Sequence, residues 1–248
     1  MVDPESSSRE IDASAGNSLP SRRRPKIARR SPMRVKNRAT LRRTGSEREY
    51  AGAVDGAPGV ELVLLSAGEI PGELAQGRIH LGVTGSDLVC DRLADWAAQV
   101  TALCPMGFGQ ADLVIAVPAA WIDVANLDDL DAVAAAFRRT HGQRLRIATK
   151  YHRLVREFLT TNGVADYQLV DSQGATEGTV KNLTAEAIAD ITSSGETLRA
   201  NHLKVLEDGL IHQSQATLYT AHAADWGQGR SAALAALAHR LGLQAPAL

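Results

Sequence analysis

RLRIATKYHRLVREFLTTNGVADYQLV, residues 144–170, reads as strand, helix, strand, and this reading decides the class of fold. Residues 144–149 form the first strand, 150–161 the helix, and 166–170 a strand running into a glycine-containing loop. Working outward, VELVLL (60–65) is a buried-type strand and SAGEIPGELAQ (66–76) a short capped helix. Residues 79–83 form a strand that runs into Thr84-Gly85-Ser86-Asp87 and a helix over 88–99. A strand over 111–117 is closed by Pro118, and an amphipathic helix spans 127–140. Residues 185–191, 204–211 and 215–220 are further candidate elements, and 231–241 closes the chain as an Ala/Leu-rich helix. Strands alternating with helices at this spacing predict parallel α/β layers. Ligands are then expected at the loops leaving the strands' C-terminal ends, here 84–87, 149–151, 174–177 and 192–197.

The chemistry concentrates just downstream, in DSQGATEGTVKNLTAEAIADITSSGETL (171–198). The loop 190–197 ends one apolar run and opens an amphipathic segment. Its hydroxyls and backbone N–H groups at a helix start suit a phosphate monoester. Gly195 lets the backbone approach the phosphate closely. Asp190, just before the loop, is placed to accept hydrogen bonds from sugar hydroxyls. An acid followed by a hydroxyl-and-glycine cradle is the logic of a site for a phosphorylated ribose. The alternative is an ordinary cap and turn of Ser, Thr and Gly.

At 248 residues the chain is long enough for one large domain or two small ones. Cys90 and Cys104 stand 14 apart with no CxxC and no paired His, which argues against a disulfide framework or zinc site and for a reducing cytosol. The polar, acidic N-terminus has no signal-peptide pattern, and no apolar run reaches membrane-spanning length. The formal net charge of −1 hides an asymmetry. Residues 22–43 carry eleven Lys/Arg and no acid, whereas 44–248 carry 15 basic against 24 acidic residues, a net of −9. Residues 1–16 read as a disordered leader. The basic stretch reads as a solvated arm, with an arm for nucleic-acid phosphates as the alternative.

Four motifs in order, GVTGSDLV (82–89), MGFGQADLVIAVP (106–118), RIATKYHRL (146–154) and the GATEG…AEAIADITSSGETLRANHL tract (174–203), resemble those of the ATP phosphoribosyltransferases of histidine biosynthesis. The resemblance runs from about residue 45 to about 240, and the chain ends without room for the regulatory domain of the family's long form. It is therefore similar to the short form, which works with a partner resembling histidyl-tRNA synthetase. The resemblance implies a two-lobed α/β fold of the type II periplasmic-binding-protein kind, with the active site in the interlobe cleft. Lobe I would hold 17–107 and the segment 202–248, lobe II 108–201. It also implies a reaction joining N1 of ATP's adenine to C1 of phosphoribosyl pyrophosphate, with Mg²⁺ and release of pyrophosphate. Asp190, Thr192, Ser193, Ser194, Gly195, Glu196 and Thr197 match the phosphoribosyl pyrophosphate loop. Asp190 and Glu177 would be the catalytic acids, Asp190 facing the ribose and Glu177 near the ribose hydroxyls or the metal. Asp87, Tyr151 and Lys150 would line the nucleotide end, Lys150 toward pyrophosphate. Glu186 stands where the family more often has Asp. A second function on the same scaffold would be non-catalytic binding of a phosphorylated sugar or nucleotide.

The family opens with a strand and a loop of the type LPxKGR. Here Leu19-Pro20-Ser21 is followed by Arg22-Arg23-Arg24-Pro25, without the loop glycine or an apolar helical stripe. One unrelated, acid-free stretch in a well-matched body points to a locally shifted reading frame, which resequencing the coding DNA tests. If the stretch is genuine, weakened nucleotide binding and lower stability are expected.

Overall fold

The computed structural model describes residues 26–29, 41–43, 51–54, 60–172 and 174–241. They build two sheets, each the core of one lobe. Lobe I holds β1 (Lys26–Arg29), β2 (Leu41–Arg43), β3 (Ala51–Val54), β4 (Glu61–Leu64), α1 (Ile70–Ala75), β5 (Leu81–Gly85), α2 (Ser86–Arg92), α3 (Trp96–Gln99) and β6 (Val100–Pro105). The chain then crosses to lobe II, with β7 (Ala111–Pro118), α4 (Leu127–His141), β8 (Leu145–Thr149), α5 (His152–Thr161), β9 (Tyr167–Asp171), α6 (Gly178–Lys181), β10 (Ala187–Thr192), α7 (Glu196–Ala200) and β11 (Leu203–Ser214). It returns through β12 (Ala216–Ala221) and ends on α8 (Gln228–Leu241). The strand orders are β2-β3-β4-β1-β5-β12-β6 and β11-β7-β10-β8-β9. This is the two-lobed α/β arrangement of the type II periplasmic-binding-protein kind.

The hydrophobic pattern explains lobe II directly. Both faces of β7 are covered, so its sequence is a continuous apolar run instead of an alternating one. Leu113, Ile115 and Val117 join the core under α4 and α5, while Val114 and Ala116 face the core that includes Leu198 of α7. Leu127, Leu130 and Ala134 recur at helical spacing on α4 and are buried. A capping box of Asn126 and Asp129 starts that helix, and Gly142 stops it in the left-handed conformation.

Four expectations are corrected. The sheets are mixed, not parallel: β7 runs antiparallel to β10 and β11, and β12 antiparallel to β5 and β6. The helix expected over 88–99 is broken, because Leu93 adopts an extended conformation and turns into the lobe I core, leaving α3 a single turn before β6. Lobe II extends past residue 201, since β11 stays paired with β7 from Leu203↔Pro118 to Ser214↔Ala111. The basic stretch holds β1 and β2, and β1 lies parallel between β4 and β5. Backbone pairing on both sides decides this strand where side-chain periodicity does not. The leader 1–16, the segment 19–25 and residues 30–40 lie outside the described residues.

Candidate active site at the lobe junction

Three chain segments converge where the lobes meet. The first is the end of β5, which delivers Gly85, Ser86 and Asp87 into α2. Asp87 is buried in the first turn of that helix, and Gly85, not Asp87, is the N-cap. The Asp87 carboxylate is held by the last residue of β11: Ser214 Oγ donates to Asp87 Oδ1 at 2.5 Å and accepts from the Asp87 backbone N–H at 3.2 Å. Ser86 Oγ lies 2.9 Å from His212 Nε2, so two residues of β11 grip the start of α2.

The second segment is the end of β8, carrying Lys150 and Tyr151. Tyr151 is only 2% exposed. Asp87 is the charged neighbour that acts most strongly on its hydroxyl. Burial, then the negative charge of Asp87, then Asp190 and Asp91, push the tyrosine pKa well up, so the hydroxyl remains a donor at neutral pH. The third segment is the end of β10. Because β8 and β10 pair in parallel, with Ala189 beside Thr149, Lys150 follows directly beside Asp190. Lys150 Nζ stands 3.4 Å from Asp190 Oδ1, which also accepts its neighbour's N–H from Ile191 at 2.9 Å.

These residues border a cavity of about 560 Å³. Asp87, Lys150, Tyr151 and Ser214 supply polar groups, while Phe108, Leu88 and Ile191 supply apolar wall. Such a mixture in a cleft of this size is the ordinary make-up of a small-molecule site. Of the residues singled out in the sequence, Asp87, Lys150 and Tyr151 share this cavity, and Asp190 joins it through Lys150.

The loop 192–197 and Glu177 lie on neighbouring strand ends and are not among the lining residues. Gly195 adopts φ +71°, a conformation that glycine takes without strain, and its N–H donates to Thr192 Oγ1 at 2.9 Å. Glu196 N–H donates to Ser194 Oγ at 3.3 Å, and the exposed Arg199 folds back so that its guanidinium donates to the Ser194 carbonyl at 3.0 Å. Ser193, Ser194, Glu196 and Thr197 are exposed. The helix that follows, α7, has five residues, so its dipole is small and anion binding there would rest on hydroxyls and N–H groups. Glu177 is half-buried at the start of α6 and makes no side-chain capping bond. Glu186 faces away into an ion pair with Arg146, 2.5 Å apart.

Sequence reasoning missed Phe108, His212 and Ser214. Phe108 sat inside a quoted motif, MGFG, whose two glycines take positive φ at 107 and 109. His212 and Ser214 carried no local signal, because only the pairing of β11 brings them to α2.

Together the fold and the site define a two-lobed α/β protein with a cleft of mixed polar and apolar lining between its lobes. The profile of the family HisG: ATP phosphoribosyltransferase matches residues 66–242. An ATP phosphoribosyltransferase of Cereibacter sphaeroides is 74% identical over 207 residues, covering 84% of this chain and 87% of that protein. One from Rhodopseudomonas palustris (strain BisB18) is 51% identical over 187 residues, 75% of this chain and 58% of its own length. The solved ATP phosphoribosyl transferase (HisG:HisZ) complex from Thermotoga maritima shares the fold at 16% identity and TM-score 0.64, over 88% of this chain and 96% of the other. The chain belongs to the ATP phosphoribosyltransferase family.

Proposed function

We propose that the cavity bordered by Asp87, Lys150 and Tyr151 takes ATP, and that phosphoribosyl pyrophosphate sits on the loop 190–197. The activity is that of the family, transfer of a phosphoribosyl group to ATP in the first step of histidine biosynthesis; the non-catalytic alternative is not favoured. The observation that carries the site assignment is the 3.4 Å approach of Lys150 to Asp190, which joins the two subsites through one ion pair.

The C1–N1 bond forms as the bond from C1 to the pyrophosphate oxygen breaks, and C1 passes through an oxocarbenium-like state. Asp190 would accept hydrogen bonds from the ribose hydroxyls and offset the positive charge at the ring, while Lys150 would meet the charge developing on pyrophosphate. Thr192, Ser193, Ser194 and Thr197 would offer hydroxyls to the 5′-phosphate, and the N–H groups of Gly195 and Glu196 would exchange their bonds to Thr192 and Ser194 for it. Phe108 is an aromatic wall on which the adenine would stack. No side-chain nucleophile is required. Mg²⁺ would ride chiefly on substrate phosphate oxygens, and the half-buried Glu177 carboxylate would be a further oxygen ligand. Mg²⁺ bound there would neutralise phosphate charge.

We place the enzyme in the cytoplasm, where its free thiols Cys90 and Cys104 stay reduced. We further infer that it works with a regulatory subunit resembling histidyl-tRNA synthetase, a reading supported by the similarity to a HisG solved with HisZ. The test is pyrophosphate release from ATP and phosphoribosyl pyrophosphate, with and without that subunit. Asp190→Ala and Thr197→Ala are each expected to lower turnover about 100-fold or more. Wild-type rates in both would overturn the loop assignment.

A further inference from the structure

Helix α5 begins at the cavity wall, yet its N-cap residue is Tyr151, which makes no side-chain capping bond. The first N–H groups of a helix have no partner within it. Here a residue of the other lobe supplies one: Asp91 Oδ1 accepts the backbone N–H of Arg153 at 3.0 Å and of Leu154 at 3.1 Å. Arg153 Nε also donates to the Asp91 carbonyl at 3.3 Å. Asp87 and Asp91 are four residues apart on α2 and so lie on one face of it. Asp87 acts on the hydroxyl of Tyr151, and Asp91 accepts the N–H groups of Arg153 and Leu154. Between them Leu88 packs on the lobe II core.

We propose that Asp91 is a positioning residue for ATP: it caps α5 across the lobe boundary and thereby holds Tyr151, the N-cap residue, where the nucleotide meets it. The physical argument is the pairing of two anchors on one short helix. Asp87 can hold Tyr151 only while the first turn of α5 stays wound. The carboxylate that keeps it wound belongs to lobe I, so the wall of the cavity and the relative placement of the lobes are set by the same bonds. Lys150 and residues 192–197 follow β8 and β10, which are fixed by their own parallel pairing and not by this cap, so phosphoribosyl pyrophosphate binding is insulated from it. The proposal rests on the reading that ATP occupies this cavity.

The test compares wild type, Asp91→Ala and Asp91→Asn in the assembly that the full chain forms, by calorimetric titration of ATP and by steady-state pyrophosphate release. Losing the cap in Asp91→Ala is expected to weaken ATP binding and raise its KM about tenfold. The KM for phosphoribosyl pyrophosphate is expected to stay within about twofold, because its loop lies outside the capped helix. Asp91→Asn keeps an acceptor oxygen and is expected to recover ATP binding to within about threefold of wild type. ATP binding in Asp91→Ala as tight as in wild type overturns the proposal, even if that variant melts earlier. So does a rise of both KM values together, or an Asp91→Asn variant as weak as Asp91→Ala. An active Asp87→Ala variant that binds ATP as tightly as wild type removes the reading that ATP occupies this cavity, and so is told apart from failure of the proposal alone.

Discussion

Gly85 has no side chain because Asp87 needs the space. A Cβ built on Gly85 would lie 2.1 Å from Asp87 Oδ1 and 3.3 Å from Ser214 Oγ. The overlapping atom, Asp87 Oδ1, is the one that accepts from Ser214 Oγ, so a side chain at 85 pushes the carboxylate off that bond. Gly85→Ala is therefore expected to raise the KM for ATP by about tenfold or more, by displacing one charge-assisted hydrogen-bond acceptor. Steady-state kinetics with varied ATP check this. At the same scale, Asp87, Lys150, Tyr151 and Asp190 could be singled out from short motifs at or near strand ends. Ser214 and Asp91 could not, because no local motif marks them and their partners are 127 and 62 residues away.

The strand ends that carry the site are tied together by polar contacts away from it. Arg146 of β8 binds Glu186 just before β10 through its backbone N–H at 2.7 Å and its guanidinium at 2.5 Å. Burial pushes the Glu186 pKa up, but the hydrogen bonds and charge of Arg146 outweigh it and hold the carboxyl below its ordinary 4.5. A lowered folded-state pKa adds stability that is complete above the unfolded value and is lost as pH falls through the folded one. Arg146→Met is expected to lower unfolding free energy by roughly 1–2 kcal/mol at pH 7. The gap to wild type should close below pH 4.5 as Glu186 takes up its proton, measured by urea denaturation across that range. The elements themselves were legible where an apolar period was strong, as in β7 and α4. The strand β6 was not, because VTALCP carries little periodicity and gains its place from pairing with β12.

Two crossings join the lobes, β6 to β7 and β11 to β12, the second through the single residue Gln215. Ligands that bind between such lobes stabilise the whole molecule by mass action. ATP at 100 times its Kd is expected to add about 2.7 kcal/mol and to raise Tm by roughly 5 to 10 °C. Differential scanning calorimetry reads this directly. Asp190→Ala should remove most of the further rise produced by phosphoribosyl pyrophosphate while leaving the ATP shift in place, which separates the two subsites in one experiment.

Sequence alone determined the alternation of strands and helices in lobe II, the family, and the loops from which the ligand-facing residues hang, because apolar periodicity, glycines and short polar motifs act over a few residues. Tertiary structure alone decided the mixed strand directions, the return of β11 along β7, and the joining of Asp87, Ser214 and Tyr151. Those outcomes depend on pairings between residues far apart in the chain, whose energy comes from backbone ladders and buried hydrogen bonds that no local pattern encodes.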